Sequence, residues 1–233
     1  MIKNFDSQGE YVTKGARNTI KKFIVEGQTF NVKSFRKPGA FNAFVYKFIR
    51  PTKAKRSFDY AKKLLSLDIL TPNPVAYIEA SSLLGLKESY YVSLNVDYDF
   101  DFRHLIHNPL FKNRIEILKK FTDFTYKLHE NKVNFLDHSP GNTLIIDHKN
   151  GNYDFYLIDL NRLKFEALSL PKRMENLKRL WLSKQMIQIV AQRYAEISTY
   201  SYDSVYHNLL KSSNAFKLKI RKKEHLKRKL KNK

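Results

Sequence analysis

The stretch FLDHSPGNTLIIDHKNGNYDFYLIDLNR, residues Phe135–Arg162, restricts the fold of this chain more than any other. Pro140-Gly141 breaks regular structure just after Asp137, and the apolar run Thr143–Ile146 starts as soon as Asn142 has passed. A second apolar run, Phe155–Ile158, delivers Asp159 at its end. Between the runs lies Asn150-Gly151-Asn152, a strong turn signal, so the pair predicts a β-hairpin. A hairpin brings its two ends together, and the spacing therefore predicts that Asp137, Asn142 and Asp159 converge.

That set of side chains suits phosphoryl transfer. The reaction needs a carboxylate to orient and deprotonate an attacking hydroxyl, and hard oxygen ligands to hold Mg²⁺ against nucleotide phosphates. Asp137 fits the first task, and Asn142 with Asp159 the second. An Asp, an Asn five residues later, a hairpin and an apolar strand ending in Asp is the order of a kinase catalytic loop and metal loop. Turn formation explains Asp or Asn singly, but not their joint spacing.

On these residues the chain resembles the Kdo/heptose lipopolysaccharide kinases, part of the protein-kinase-like superfamily that includes aminoglycoside phosphotransferases. The family loop usually reads HGDLxPGN followed by LIDFDR; this chain has FLDHSPGN and LIDLNR, with Phe135 where the family often has His. VKSF and the run KAKRSFDYAKKLL…TPNPVAYIE are similar to the family further upstream. The resemblance implies ATP and Mg²⁺ as cofactors and transfer of the γ-phosphoryl group to a sugar hydroxyl, with Kdo or heptose of the lipopolysaccharide inner core as acceptor. Asp137 then orients the acceptor, Asn142 and Asp159 hold the metal, and Lys33 reaches the phosphates. The fold it implies is α+β and two-lobed: an antiparallel N-lobe over residues 1–94 with one helix, a mainly helical C-lobe over 95–214, and a basic tail over 215–233.

The N-terminal half can carry such a lobe. Thr19–Val25 and Thr29–Phe35 read as strands about a Glu26-Gly27-Gln28 turn, and Val75–Ile78 and Tyr90–Leu94 as two more. Strand alternation places Lys33 on a face with Asn31 and Phe35. Its expected partner is Asp59, on a helix capped by Ser57 and running to about Leu67. An exposed strand lysine is the competing reading. Without a GxGxxG, any phosphate-covering loop uses Gly9 or Gly15. From Gly27 to Phe58 there is no acid, while Lys and Arg accumulate, which predicts either a solvated basic face or a docking place for a phosphorylated substrate.

Other chemistries find no support. In DYDFD the calcium-loop pattern fails, since Phe102 replaces the required glycine and Asn108 the bidentate Glu. Neither H-E-x-x-H nor G-x-S-x-G occurs, and without cysteine there are no disulfides or thiolate metal sites. The helix expected over Arg114–His129 places Ile115, Leu118, Phe121, Thr122, Thr125 and Leu128 on one stripe, and two more helices are expected over Met174–Leu182 and Lys184–Ile197. No A-P-E segment follows Asp159, so no protein substrate is expected.

A formal charge of +21, from 43 Lys and Arg against 22 Asp and Glu, predicts a polyanionic partner. A glycolipid acceptor and an anionic membrane surface both fit; nucleic acid is disfavoured because RNP, KH and zinc-finger signatures are missing. Ten of the basic residues lie in Lys217–Lys233, which reads as a basic helix with a thin apolar stripe of Phe216, Ile220, Leu226 and Leu230, or as a solubilising tail. With no apolar leader and no 18-residue apolar run, a cytoplasmic protein is expected, peripheral at the inner face of the cytoplasmic membrane in the first reading of the tail. A nucleotide- or glycolipid-binding pseudokinase is the alternative to the active enzyme.

Overall fold

The computed structural model describes residues 2–15 and 18–231. The chain divides into two compact units, Met1–Asp97 with Tyr156–Asn161, and Tyr98–Phe155 with Arg162–Lys233.

The first unit is built on β1 (Glu10–Lys14), β2 (Asn18–Val25), β3 (Gln28–Phe35), α1 (Ala40–Phe48), α2 (Lys53–Leu65), β4 (Pro74–Ser82) and β5 (Gly85–Leu94). The strands form one antiparallel sheet in the order β1-β2-β3-β5-β4. Val25 pairs with Gln28, so Glu26-Gly27 is a two-residue turn, and positive φ at both (51° and 76°) gives the turn hand that matches strand twist. Phe23, Val32 and Val92 point to one side of the sheet and close on Phe5 from the N-terminal segment. Lys21 fixes that segment: it is buried, and its Nζ donates to the carbonyls of Phe5 (2.6 Å), Asp6 (3.2 Å) and Gln8 (2.9 Å). A buried ammonium is tolerable only when its donors are filled, as here.

Two helices, rather than the one expected, belong to this unit. α2 starts four residues before Ser57. Its cap is Thr52, whose Oγ1 accepts from Lys55 N at 3.0 Å, while Ser57 lies inside and donates to the Lys53 carbonyl. The first turn is lysine-rich and carries little apolar periodicity, so the start was not visible in the pattern. Ala54, Ala61 and Leu64 form its buried stripe.

The second unit contains β6 (Phe100–Asp101), α3 (Arg103–His107), α4 (Arg114–Glu130), β7 (Val133–Phe135), β8 (Thr143–Asp147), β9 (Tyr153–Leu157), β10 (Leu163–Phe165), α5 (Leu170–Asn176), α6 (Lys184–Glu196) and α7 (Tyr202–Lys231). β9 carries the chain into the first unit at Tyr156. β8 and β9 are the anticipated hairpin, in a sheet of order β6-β8-β9, and Lys149 and Gly151 supply the positive φ of its turn. The alternating acids of DYDFD serve this local structure: Asp99 Oδ2 accepts from Asp147 N at 2.8 Å, and Asp101 Oδ1 from Arg103 N at 2.9 Å. β7 pairs antiparallel with β10, Phe135 opposite Leu163.

Ile117, Leu118, Phe121, Thr122, Thr125 and Leu128 make the buried face of α4; Ile115, which the periodicity put on the stripe, is exposed. Against that face packs α6 through Met186, Ile187, Val190, Ala191 and Tyr194, and α7 adds Val205 and Leu209. A two-pronged Arg193–Asp123 pair (2.6 and 3.0 Å) fastens α6 to α4. α5 begins at Leu170, with proline in its first turn, and stops at Asn176; a single 3-10 turn over Lys178–Leu180 and a left-handed Trp181 (φ 59°) follow, so the expected helix over Met174–Leu182 is displaced towards the N-terminus. Among the described residues no helix is long and apolar enough to cross a membrane.

Candidate active site

In the first unit, β3 carries Lys33 in the sheet between Ile20 on β2 and Tyr91 on β5. Its side chain is mostly buried, and Nζ lies 2.8 Å from Asp159 Oδ1. Asp159 reaches that position because the end of β9 is pinned to the loop before β4: Leu157 N donates to the Leu70 carbonyl at 3.0 Å, and Thr71 Oγ1 to the Leu157 carbonyl at 2.7 Å. Asp159 itself is left-handed (φ 58°), a conformation that costs a non-glycine residue energy and clusters at functional sites. Asn161 Nδ2 donates to the same Oδ1 at 2.6 Å, while the buried Asn161 Oδ1 has no hydrogen-bond partner.

The expected pair of Lys33 with Asp59 is not formed. Asp59 is exposed on α2 and bonded to Lys55, one turn earlier, at 3.0 Å. An i,i+4 neighbour on the same helix face is always within reach, whereas a partner on another element needs the right register. Gly9 (φ 82°) sits against Phe23 just before β1, where a Cβ would lie 2.7 Å from the ring, so its role there is packing. Gly15 lies in the β1–β2 connection, accepted into it by a 3.1 Å bond from its N to the Asn18 carbonyl; Ala16 and Arg17 of that loop fall outside the described residues.

In the second unit, the loop between β7 and β8 presents Asp137. It is tied down along its length. Leu136 N donates to the Arg162 carbonyl (3.0 Å), Asn142 N to the Ser139 carbonyl (2.9 Å), and Asn142 Nδ2 to the Asp137 carbonyl (2.8 Å). The last bond brings Asp137 and Asn142 together and leaves Asn142 Oδ1 as the atom that can face a cation. Arg179 Nη2 stands 2.9 Å from Asp137 Oδ1, and Arg162 Nη1 3.8 Å from Oδ2.

Beneath the loop is a buried polar clamp. Asn176, at the end of α5, donates to Asn134 Oδ1 (3.0 Å) and to the Phe135 carbonyl (2.9 Å). Its own Oδ1 lies 3.3 Å from Nδ1 of His138, which is fully buried between the Phe121 and Phe135 rings. With Asn176 Nδ2 committed, His138 Nδ1 is the donor and Nε2 accepts from Thr143 Oγ1 at 3.5 Å. Burial pushes the His138 pKa down to about 4 and that of His129, behind it on α4, to about 3, so both are neutral near pH 7. His138, Asn176 and Arg179 were all missed in the sequence. Only His138, adjacent to Asp137, had a positional signal; Asn176 and Arg179 lie about 40 residues downstream in no motif.

A five-stranded antiparallel sheet with Lys33 on its third strand, followed by a mainly helical part that holds Asp137 on the loop before a hairpin, is a protein-kinase-like fold. Residues 10–201 match the model of the lipopolysaccharide kinase (Kdo/WaaP) family, and the chain belongs to that family. Among solved structures, WaaP in complex with acyl carrier protein is similar over 92% of this chain and 88% of that chain, at 16% identity and a TM-score of 0.64, a likeness of fold. No match was found among curated proteins. Membership makes the protein a kinase of lipopolysaccharide assembly by class. The sequence reading named no protein partner, and WaaP has one in that complex.

Proposed function

We propose that the protein transfers the γ-phosphoryl group of ATP to a hydroxyl of a Kdo or heptose residue in the lipopolysaccharide inner core. The observation that carries this reading is the 2.8 Å pair between Lys33 and Asp159, 126 residues apart in sequence. A nucleotide-binding lysine and a metal-binding aspartate both act on the nucleotide phosphates, so their adjacency suits that pair of roles. In the reaction Lys33 holds phosphate oxygens, Asp159 and Asn142 Oδ1 offer hard oxygen ligands, and Asp137 orients the acceptor hydroxyl and takes its proton. Mg²⁺, which takes few protein ligands beside phosphate oxygens, would be held by the oxygens of Asp159 and Asn142. Held there, the ion would neutralise charge on the phosphates.

Arg162 and Arg179 beside Asp137 support an acceptor that is itself anionic, because guanidinium groups recognise carboxylate and phosphate in a planar fork. Kdo, a sugar acid, meets that requirement. The expected station is the cytoplasmic face of the inner membrane, where a lipid-anchored core would be met. Incubation of purified protein with labelled ATP, Mg²⁺ and Kdo–lipid A tests the reading: label in the glycolipid is expected. ATP binding without transfer to any inner-core acceptor would replace it with the pseudokinase.

A further inference from the structure

The first unit carries an apolar surface that phosphoryl transfer does not use. α1 buries none of its residues. Phe41 is 80% exposed, and Phe44, Phe48 and Ile49 are exposed with it; at the β4–β5 hairpin tip Leu83 and Leu84 are 91% and 85% exposed. These residues belong to one assembly. Lys47 Nζ donates from α1 to the carbonyls of Ser82 (2.6 Å) and Leu83 (3.3 Å). Gly85 lets the α1 backbone approach so closely that a Cβ there would lie 2.6 Å from the Ala43 carbonyl carbon. The same stretch of chain carries exposed Arg36, Lys37, Lys47 and Arg50, and no acid occurs between Gly27 and Phe58.

We propose that α1 and the β4–β5 tip together form a wedge that inserts into an anionic phospholipid surface. Isolated exposed apolar residues are ordinary, but this many large ones on one helix and an adjoining tip mark an interaction surface. Its chemistry selects the partner. Exposed Phe and Leu accompanied by exposed Arg36, Lys37 and Arg50, with Lys47 joining the helix to the hairpin tip, match the acyl boundary and the anionic headgroups above it. Leucines left about nine-tenths uncovered stand out from their surroundings, and a fluid bilayer receives them without a matching pocket, which a protein partner would have to provide. The inference does not depend on the phosphotransfer reading.

The chain has no cysteine, so Leu84→Cys in the full-length protein takes a single environment-sensitive dye. With phosphatidylcholine vesicles containing phosphatidylglycerol the dye emission should shift to the blue. Leu83→Asp with Leu84→Asp, both at exposed positions, should lower the fraction bound to those vesicles by ~10-fold or more with an unchanged thermal melt. A dye that stays in water while the protein binds vesicles would overturn the proposal, as would undiminished binding of the double variant. A shift given by acyl carrier protein but not by vesicles would assign the face to a protein and overturn it equally.

Discussion

The loop that presents Asp137 is held from below by groups that carry no charge near pH 7. His138 Nδ1 donates to Asn176 Oδ1 and Asn176 Nδ2 to the Phe135 carbonyl, while two guanidinium groups meet the carboxylate. If Asp137 is the base, Asp137→Asn lowers turnover by at least ~10²-fold while Mg-ATP affinity stays near that of the parent, because loss of a general base acts on the chemical step. Asp159→Asn, by contrast, weakens Mg-ATP binding itself; titration calorimetry distinguishes the two, and equal losses of affinity would refute the division of roles. Lys33→Met should weaken nucleotide binding or turnover strongly, and parent-like kinetics would remove Lys33 from the site. The buried histidines make a separate prediction about pH. Their folded pKa values, about 4 for His138 and about 3 for His129, lie below the ordinary 6.5, so between those values the unfolded chain binds protons that the native one does not. Their contribution is intact above pH 6.5 and is lost as the pH falls towards 4 and then 3, at up to about 1.4 kcal/mol per pH unit for each. Denaturant titrations followed by Trp181 fluorescence at pH 7.5, 6 and 5 measure it; stability that does not change over this range would contradict the buried neutral imidazoles.

At the scale of elements, α7 has two parts with different duties. Val205, Leu209 and Ser213 are buried in the second unit, while the residues from Arg221 to Leu230 are all exposed. The boundary lies later than the start of the basic run suggests. Phe216 sits 5.5 Å from the Arg179 guanidinium and edge-on to Trp181, and Lys217 Nζ donates to the Leu182 carbonyl at 2.7 Å. Removing Phe216 would release the arginine that faces Asp137, so the informative cut falls after Leu218. That truncation is expected to keep activity on a soluble sugar acceptor and to lower binding to anionic vesicles, with the difference disappearing at high salt; equal vesicle binding at low salt would end the anchoring role of the tail. α1 depends on a different contact. Gly85→Ala should cost ~1–3 kcal/mol, since the added methyl meets backbone that cannot yield cheaply. A thermal melt unchanged from the parent would show that α1 moves aside freely.

Across the whole molecule the excess of 43 basic over 22 acidic residues sets how it meets its surroundings. Association with anionic vesicles or glycolipid micelles should fall by ~10-fold or more between about 0.05 and about 0.5 M salt, as screening shortens the reach of exposed charge. Salt-independent sedimentation would mean that apolar insertion alone holds the protein. The fold class, the β8–β9 hairpin and its turn, the β2–β3 hairpin, the position of α4 and the family were all legible in the chain, because each rests on neighbours in sequence: turn residues, alternation, helical spacing and a contiguous motif. Three things were settled only by the tertiary structure. Lys33 meets Asp159 and not Asp59, because a pairing across 126 residues follows from how the strands are arranged, and no local pattern records that. Asn176 and Arg179 come to the Asp137 loop from a helix end and a 3-10 turn whose own sequence carries no motif. α1 escaped notice because periodicity reveals a helix by the face it buries, and this one turns its phenylalanines outward.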